Sequence, residues 1–188
     1  MRYRLLPLLL LLTLAPVAAR ADKYADAINT FREAGQSGGF FHRCYGYAVF
    51  PTIGKGGIGI GGAHGSGRVY EAGTYVGDAS MTQVTVGWQL GGQAYSQIIF
   101  FEDKRAFDEF TRGDFEFGAQ ATAVAITAGA SAQASTGGAG ASAGSSAGNS
   151  KTAGEYHKGI AVFTVAKGGL MYEASIGGQK FGYKPKKK

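Results

Sequence analysis

Cysteine is almost absent from this sequence, which holds one, Cys44, among 188 residues. A single cysteine cannot form an intramolecular disulfide, so no disulfide framework supports the fold. Cys44 also lies far downstream of the N-terminal apolar run, which excludes it as the lipidated cysteine of a lipoprotein. An apolar core must therefore hold the fold, and a chain of this length can supply one.

The sequence also lacks an apolar run long enough to cross a bilayer as a helix. The longest run, residues 5–19, is interrupted by two prolines and falls short of the roughly 20 residues that a span needs. Two arginines precede it and the small-residue motif Ala19-Arg20-Ala21 follows it, as in a cleavable secretory signal peptide. The sequence therefore predicts removal of residues 1–21 and a mature periplasmic or extracellular protein that begins at Asp22 and can lie at a membrane surface.

The body of the chain, between the predicted signal peptide and the C-terminal tail, has almost no net charge. The sequence has 19 Lys and Arg against 13 Asp and Glu, but three basic residues lie in the predicted signal peptide. Four more form a basic tail over residues 184–188, made of Lys184, Lys186, Lys187 and Lys188. The near-neutral body disfavours a nucleic-acid groove, whereas the tail suits an anionic surface. On sequence alone, a solvated chain end is the favoured alternative for the tail.

Two short amphipathic helices are predicted from capping residues and apolar spacing. Asp22 is a good N-cap for a helix that continues to Gly35, and Asp103 is a good N-cap for a second helix over Lys104 to Thr111. The rest of the mature chain shows few helix signals, so these helices flank a domain of another class.

Strand signals dominate from Tyr45 onward, as aromatic and β-branched runs cut by glycine clusters. In Gln83 to Leu90, apolar and polar residues alternate, which predicts a strand whose buried face holds Val84 and the apolar positions after it. The strand Ala94 to Phe101 ends in four apolar residues, which places it centrally in a sheet covered on both faces.

The C-terminal half is predicted to continue this sheet around a low-complexity segment. Residues 115–134 alternate with a period of two and are assigned to a strand, although their alanine content favours a helix. Residues 135–154 are almost entirely Gly, Ala, Ser and Thr and are assigned to a flexible loop. The sheet resumes at 159–165 and 170–176. The fold class is α+β, mainly β: one glycine-rich domain over residues 22–183.

An internal repeat organises this domain. The segments Ala48-Val49-Phe50 and Ala161-Val162-Phe163 are each followed by a Lys-Gly-Gly motif, at Lys55 and Lys167. Each unit is interpreted as a strand, a Gly-Gly bend and another strand, so the two halves build a β-barrel or a sandwich-like sheet.

Several ordered motifs resemble those of the SYLF domain family, and together they cover nearly the whole mature chain. They are Tyr45-Gly46-Tyr47-Ala48-Val49-Phe50-Pro51, Gly54-Lys55-Gly56-Gly57, Leu90-Gly91-Gly92-Gln93-Ala94-Tyr95, Ile98-Ile99-Phe100-Phe101 and Ala166-Lys167-Gly168-Gly169-Leu170-Met171. The resemblance implies a lipid-binding module, with phosphoinositide binding in eukaryotic members and actin binding in some fungal ones. It also implies that bacterial members are mostly exported stand-alone domains.

The two Lys-Gly-Gly motifs are the best candidates for binding an anion, because turn amides beside a lysine form small anion-binding concavities. The predicted lipid-headgroup site comprises Lys55, Gly56, Gly57, Lys167, Gly168 and Gly169, with Arg68 as a third cation. The favoured alternative is that the glycines serve tight turns and close packing while the lysines are solvated.

Catalysis finds little support in the sequence. A formal G-x-G-x-x-G at 57–62 has no βαβ unit around it, which disfavours a nucleotide site. His42 and Cys44 do not form part of a triad, and neither His64 nor His157 has a second ligand at metal spacing. No catalytic residue, metal or cofactor is predicted, and the protein is not expected to be an enzyme.

Three classes of function remain. The preferred one is an exported protein that binds anionic phospholipid headgroups or a membrane surface in the cell envelope. A structural or protein-interaction module without a lipid ligand is the alternative. An outer-membrane β-barrel is disfavoured, because the strand ending in Phe100-Phe101 lacks polar-in alternation and the chain ends in lysines.

Overall fold

A computed structural model describes residues 22–87, 93–118, 121, 123–126, 155–167 and 176–187. The predicted signal peptide, most of residues 119–154 and the segments 88–92 and 168–175 lie outside the described residues. The elements are α1 (Lys23–Glu33), α2 (Gly35–Gly38), a 3₁₀ helix (Gly39–His42), β1 (Gly46–Glu71), β2 (Thr74–Gly87), β3 (Gln93–Phe101), α3 (Lys104–Thr111), β4 (Phe115–Glu116), β5 (Val124–Ile126), β6 (Ile160–Lys167) and β7 (Gln179–Pro185).

The strands form one curled, seven-stranded sheet in the order β4-β7-β2-β1-β3-β6-β5. All neighbours are antiparallel except β5 and β6. The mainly β prediction of an α+β domain is confirmed. In the described part of the chain, no helix has the length and apolar character needed to cross a membrane.

The first strand, β1, belongs to both halves of the sheet because it bends back over itself. Its first part, to Lys55, pairs with β3, and its second part, from Gly59, pairs with β2. The two parts approach so closely that a Cβ on Gly67 would lie 2.7 Å from the Phe50 ring, and one on Gly65 would lie 2.6 Å from Ile53. Glycine at these positions therefore allows the fold-back that curls the sheet.

Two apolar cores lie on opposite faces of β3. Inside the curl, Ile99 and Phe101 pack with residues of β1, β2, β7 and α3. On the outer face, Ile98 and Phe100 pack under α1 and the 3₁₀ helix. The prediction that this strand is central and covered on both faces is confirmed, and both predicted helices form with their caps at Asp22 and Asp103.

A buried pair of amides joins the two halves of the curled sheet. Gln97 of β3 donates to Gln179 of β7 at 2.9 Å, and Gln179 donates back at 3.2 Å and to the Tyr95 hydroxyl at 3.1 Å. Both amides are fully buried. Since a buried amide is costly unless it is hydrogen-bonded, this pairing favours one alignment of the two halves.

The predicted buried face of β2 is wrong. The side chain of Gln83 is 6% exposed and bonds to the Gly177 carbonyl at 2.9 Å, whereas Val84 is 76% exposed. Gln83 faces the inner core because it lies in register with Gln179 and Ala63, which are both buried. Residues 88–90 of the predicted strand lie outside the described residues.

A single strand over residues 115–134 is also wrong in its described part. The chain forms the two short strands β4 and β5, with a turn closed by a hydrogen bond from the Ala121 amide to the Gly118 carbonyl at 2.9 Å. Phe115 and Phe117 both pack on the inner core, which accounts for the period of two at its start. The predicted loop and the strand 170–176 lie outside the described residues, apart from Ile176, which precedes β7.

Candidate functional site

The structure places both predicted headgroup lysines at one end of the sheet. Ala94 of β3 pairs with Gly54 of β1 on one side and with Lys167 of β6 on the other. Lys55, the residue after Gly54, pairs with Gln93. Gly56 and Gly57 lie within β1, between the part that pairs with β3 and the part that pairs with β2, so the Lys55 motif lies where this strand bends back and not in a loop between two strands. Gly57 has a φ of 149° there. Gly168 and Gly169 lie outside the described residues.

The two lysines nevertheless lie on opposite faces of the sheet. Lys167 is level with Gly54, and Lys55 is one residue further on, where the side chain of a strand points to the other face. The repeat explains this outcome: Val49 and Val162 correspond in sequence, but Ile98 pairs with Val49 while Ile99 pairs with Val162. An offset of one residue exchanges the faces of a strand. One small headgroup therefore does not lie between the two lysines on either face.

Lys167 is held by a neutral partner. Its ammonium donates to the Thr52 hydroxyl at 2.9 Å, and the lysine is exposed. A hydroxyl partner leaves the positive charge in place, so this lysine remains a candidate contact for an anion, separate from Lys55.

Arg68 belongs to a different part of the molecule. Gly67 lies against Phe50, so Arg68 is level with Val49, six residues before Lys55. At roughly 3.3 Å per residue, that places Arg68 about 20 Å along the strand from the predicted site. Arg68 follows Lys55 by 13 residues in an extended strand, so the two cations lie apart even though β1 bends back.

Arg68 instead forms the middle of an alternating series of cations and tyrosines. Its guanidinium lies 4.1 Å from the Tyr24 ring centroid and 5.1 Å from that of Tyr75. The ammonium of Lys23 lies 5.2 Å from the Tyr24 ring, and that of Lys186 lies 5.2 Å from the Tyr75 ring. We call these five residues the cation–tyrosine ladder; each such contact is worth about 0.5 to 1 kcal/mol at an exposed site.

Two carboxylates hold the ladder in place. Asp22 caps α1 by accepting from the Tyr24 amide at 3.1 Å, and its second oxygen accepts from Arg68 at 2.9 Å. Asp78 accepts from the Tyr75 hydroxyl at 2.8 Å, and this bond raises the pKa of that phenol. The ladder therefore joins α1, β1, β2 and the segment after β7.

The predicted basic tail is partly ordered against the sheet. β7 continues to Pro185, so Lys184 is a strand residue in register with Asp78. The Lys186 amide then donates to the Val76 carbonyl at 2.8 Å, which brings its side chain to Tyr75. Lys187 is exposed, and Lys188 lies outside the described residues. The structure thus brings together Arg68 and the tail, which the sequence had assigned to separate roles.

Lys23, Tyr24 and Tyr75 were missed by sequence reasoning. Tyr24 has the spacing of the apolar residues of α1, and it is half-buried at the edge of the outer core. Tyr75 follows the turn after β1, and its nearness to Arg68 depends on the pairing of β1 with β2. Burial raises the pKa of Tyr24, and the hydrogen bond to Asp78 raises that of Tyr75. Both ladder tyrosines are therefore neutral near pH 7.

A comparison with family models identifies the domain. The model described as Ysc84, Las17-binding protein actin regulator, matches residues 82–184, which is more than half of the chain. The chain belongs to this family. The resemblance to the SYLF family is thereby confirmed. The match includes Lys167 and Lys184, whereas Lys55 and Arg68 precede it.

A bacterial relative covers more of the chain. Beta cell expansion factor A of Aeromonas veronii is 27% identical in an alignment over 166 residues, which covers 82% of this chain and 51% of that protein. The chain therefore spans about half the length of this relative. SYLF proteins are associated with lipid or actin-related binding, and neither description names a catalytic activity.

Proposed function

We propose that this SYLF protein is exported and binds anionic phospholipid at a membrane surface of the cell envelope. The observation that carries the proposal is the cation–tyrosine ladder, which gathers three cations and two tyrosines on one exposed part of the molecule. Lys184 and Lys187 add two more positive charges beside it, against the two carboxylates Asp22 and Asp78.

The chemistry of the ladder suits a headgroup layer. Lysine and tyrosine side chains present an apolar body and a polar tip, so they can contact the boundary between headgroups and acyl chains. Basic residues near an anionic membrane contribute about 1 kcal/mol each at low salt. Because Lys23 and Lys186 are held at fixed positions on the two tyrosine rings, less side-chain entropy is lost on binding.

Export is part of this proposal and is supported by the N-terminal sequence pattern. Cleavage after Ala21 would leave the start of the fold intact, because the α1 cap and the bond to Arg68 both use the Asp22 side chain. The mature protein would then present the ladder outside the cytoplasm, where the lipid surface of the envelope is its target.

Vesicle binding tests the proposal. Vesicles of phosphatidylcholine with phosphatidylglycerol are expected to bind the protein, and the Lys23→Ala/Lys186→Ala variant should bind at least about tenfold more weakly at low salt. The matched control is Lys104→Ala/Lys158→Ala, which removes two exposed lysines away from the ladder and should bind like the wild type. Equal binding to vesicles of phosphatidylcholine alone would contradict the proposal, as would equal loss in both variants.

A protein partner is the second candidate, because tyrosine and arginine are also the residues enriched at protein interfaces. The family description names a protein-binding regulator, which agrees with this candidate. Under it, ladder variants would leave vesicle binding unchanged and abolish capture of a protein component of the envelope.

A further inference from the structure

A small cavity lies outside the ladder. A cavity of about 280 Å³ opens between the end of α1, the 3₁₀ helix and the hairpin turn between β1 and β2. Its walls include Arg32, Phe41, His42, Tyr45, Tyr47 and Ala72. The volume is at the lower limit for a small-molecule site, so it fits a headgroup fragment rather than an acyl chain.

The cavity presents one well-placed cation. The Arg32 guanidinium lies 5.0 Å from the centroid of the Phe41 ring, and both residues line the cavity. Within the ranges that the structure describes, no carboxylate lies within ion-pair distance of Arg32. Glu71, the last residue of β1, accepts a hydrogen bond from the Tyr45 hydroxyl. A guanidinium without an acidic partner is suited to a phosphate, which it can bind with two parallel hydrogen bonds.

The turn that forms one wall is strained. Ala72 has a φ of 46° and Gly73 a φ of 79°, as in the hairpin turns in which Asn-Gly is preferred. Alanine in this conformation costs on the order of 1 kcal/mol, and the Ala72 amide is held by the Tyr45 carbonyl at 3.1 Å. Such strain concentrates at ligand sites. Because residue 72 is alanine, a methyl group lies at this wall, where an asparagine would add a polar side chain.

Packed tyrosine rings connect the cavity wall to the ladder. Tyr47 of its wall stacks on Tyr70, with ring centroids 4.9 Å apart, and Tyr70 lies 6.0 Å from Tyr75 of the ladder. The cavity wall and the ladder thus belong to one set of packed side chains.

We propose that this cavity binds the phosphate group of an anionic phospholipid, with Arg32 donating to the phosphate oxygens and the aromatic walls contacting the glycerol. This inference rests on the proposed function, because the phosphate is that of the membrane phospholipid. It adds a defined headgroup site to a surface that would otherwise attract lipid by charge alone.

An NMR titration of the purified protein with glycerol 3-phosphate tests the site. Amide shifts are expected at residues 45–47 and 72–73, and Arg32→Gln should weaken binding at least about tenfold. The matched control is Arg43→Gln, since Arg43 also lies on a phenylalanine, 4.8 Å from the Phe40 centroid, and is not part of the cavity wall. Shifts elsewhere, or equal binding by Arg32→Gln, would overturn the site.

Vesicles distinguish the source of the phosphate and separate this inference from the proposed function. With phosphatidic acid in phosphatidylcholine vesicles, Arg32→Gln should also bind at least about threefold more weakly than Arg43→Gln. Loss of glycerol phosphate binding with no loss of vesicle binding would make the cavity a free-phosphate site and overturn the lipid assignment. Vesicle binding by the wild type without any cavity shift would refute the cavity alone, whereas cavity shifts without vesicle binding would refute the proposed function.

Discussion

Gly67 shows how strongly a single residue constrains this fold. A Cβ at this position would lie 2.7 Å from the Phe50 ring and 2.8 Å from the Val49 carbonyl, both of which are fully buried. Gly67→Ala is expected to lower the free energy of unfolding by about 1 to 3 kcal/mol, because the two parts of β1 would have to separate.

Chemical denaturation of Gly67→Ala and of a matched control, Gly54→Ala, checks this expectation. A Cβ on Gly54, in the same strand, meets nothing within 4 Å. If the two substitutions shift the denaturation midpoint equally, the fold-back of β1 is not the origin of the loss.

Tyr95 links the buried amide pair to a measurable pH dependence. Burial raises the pKa of Tyr95 to about 12 from an ordinary value of 10, while the hydrogen bond from Gln179 acts in the opposite direction. Because the folded state favours the neutral phenol, its stabilisation is complete below pH 10 and is lost as the pH rises through about 12. The free energy of unfolding should fall by up to about 3 kcal/mol over this window.

The comparison between wild type and Tyr95→Phe isolates this residue, since Tyr47, whose pKa burial also raises to about 12, titrates in both. Denaturation curves between pH 9 and 12 should show a shallower decline for Tyr95→Phe. Parallel declines would mean that Tyr95 does not contribute.

Among the elements, α1 depends on one side chain for two contacts. Asp22 caps the helix and binds Arg68, so Asp22→Ala should lower the free energy of unfolding by about 1 kcal/mol. Asp22→Asn keeps the cap and removes the charge, and it should recover most of this loss. Thermal unfolding of the two variants separates the contributions; equal losses would assign the effect to the ion pair with Arg68.

The end of β7 is the element that presents the basic tail. Truncation after Pro185 removes Lys186 and the residues that follow it, together with the hydrogen bond to Val76. Binding to anionic vesicles should weaken by up to about 1 kcal/mol per lysine at low salt, and by less as salt screens the charges. Cosedimentation at two salt concentrations measures this; binding that does not vary with salt would exclude the tail from the interaction.

For the molecule as a whole, the proposed location depends on removal of the predicted signal peptide. Intact mass of the protein recovered outside the cytoplasm should correspond to a chain that starts at Asp22. A mass that still includes residues 1–21, or recovery only from the cytoplasm, would refute export.

The sequence by itself determined the features that depend on neighbouring residues. Both helices and their caps, the two-sided burial of β3 and family membership follow from local spacing and ordered motifs, and the structure or the comparisons confirm them. Such features are encoded within a few residues, because a capping side chain acts on amides two or three positions away.

Only the tertiary structure decided which residues lie together. The period of two in β2 could not show which set faces inward, since that depends on Gln179 of a strand almost 100 residues away. Arg68 contacts Tyr24 of α1 and Tyr75 of β2 and does not lie with Lys55, and a register offset of one residue put Lys55 and Lys167 on opposite faces. Register and long-range pairing arise from packing between distant segments, and local pattern does not encode them.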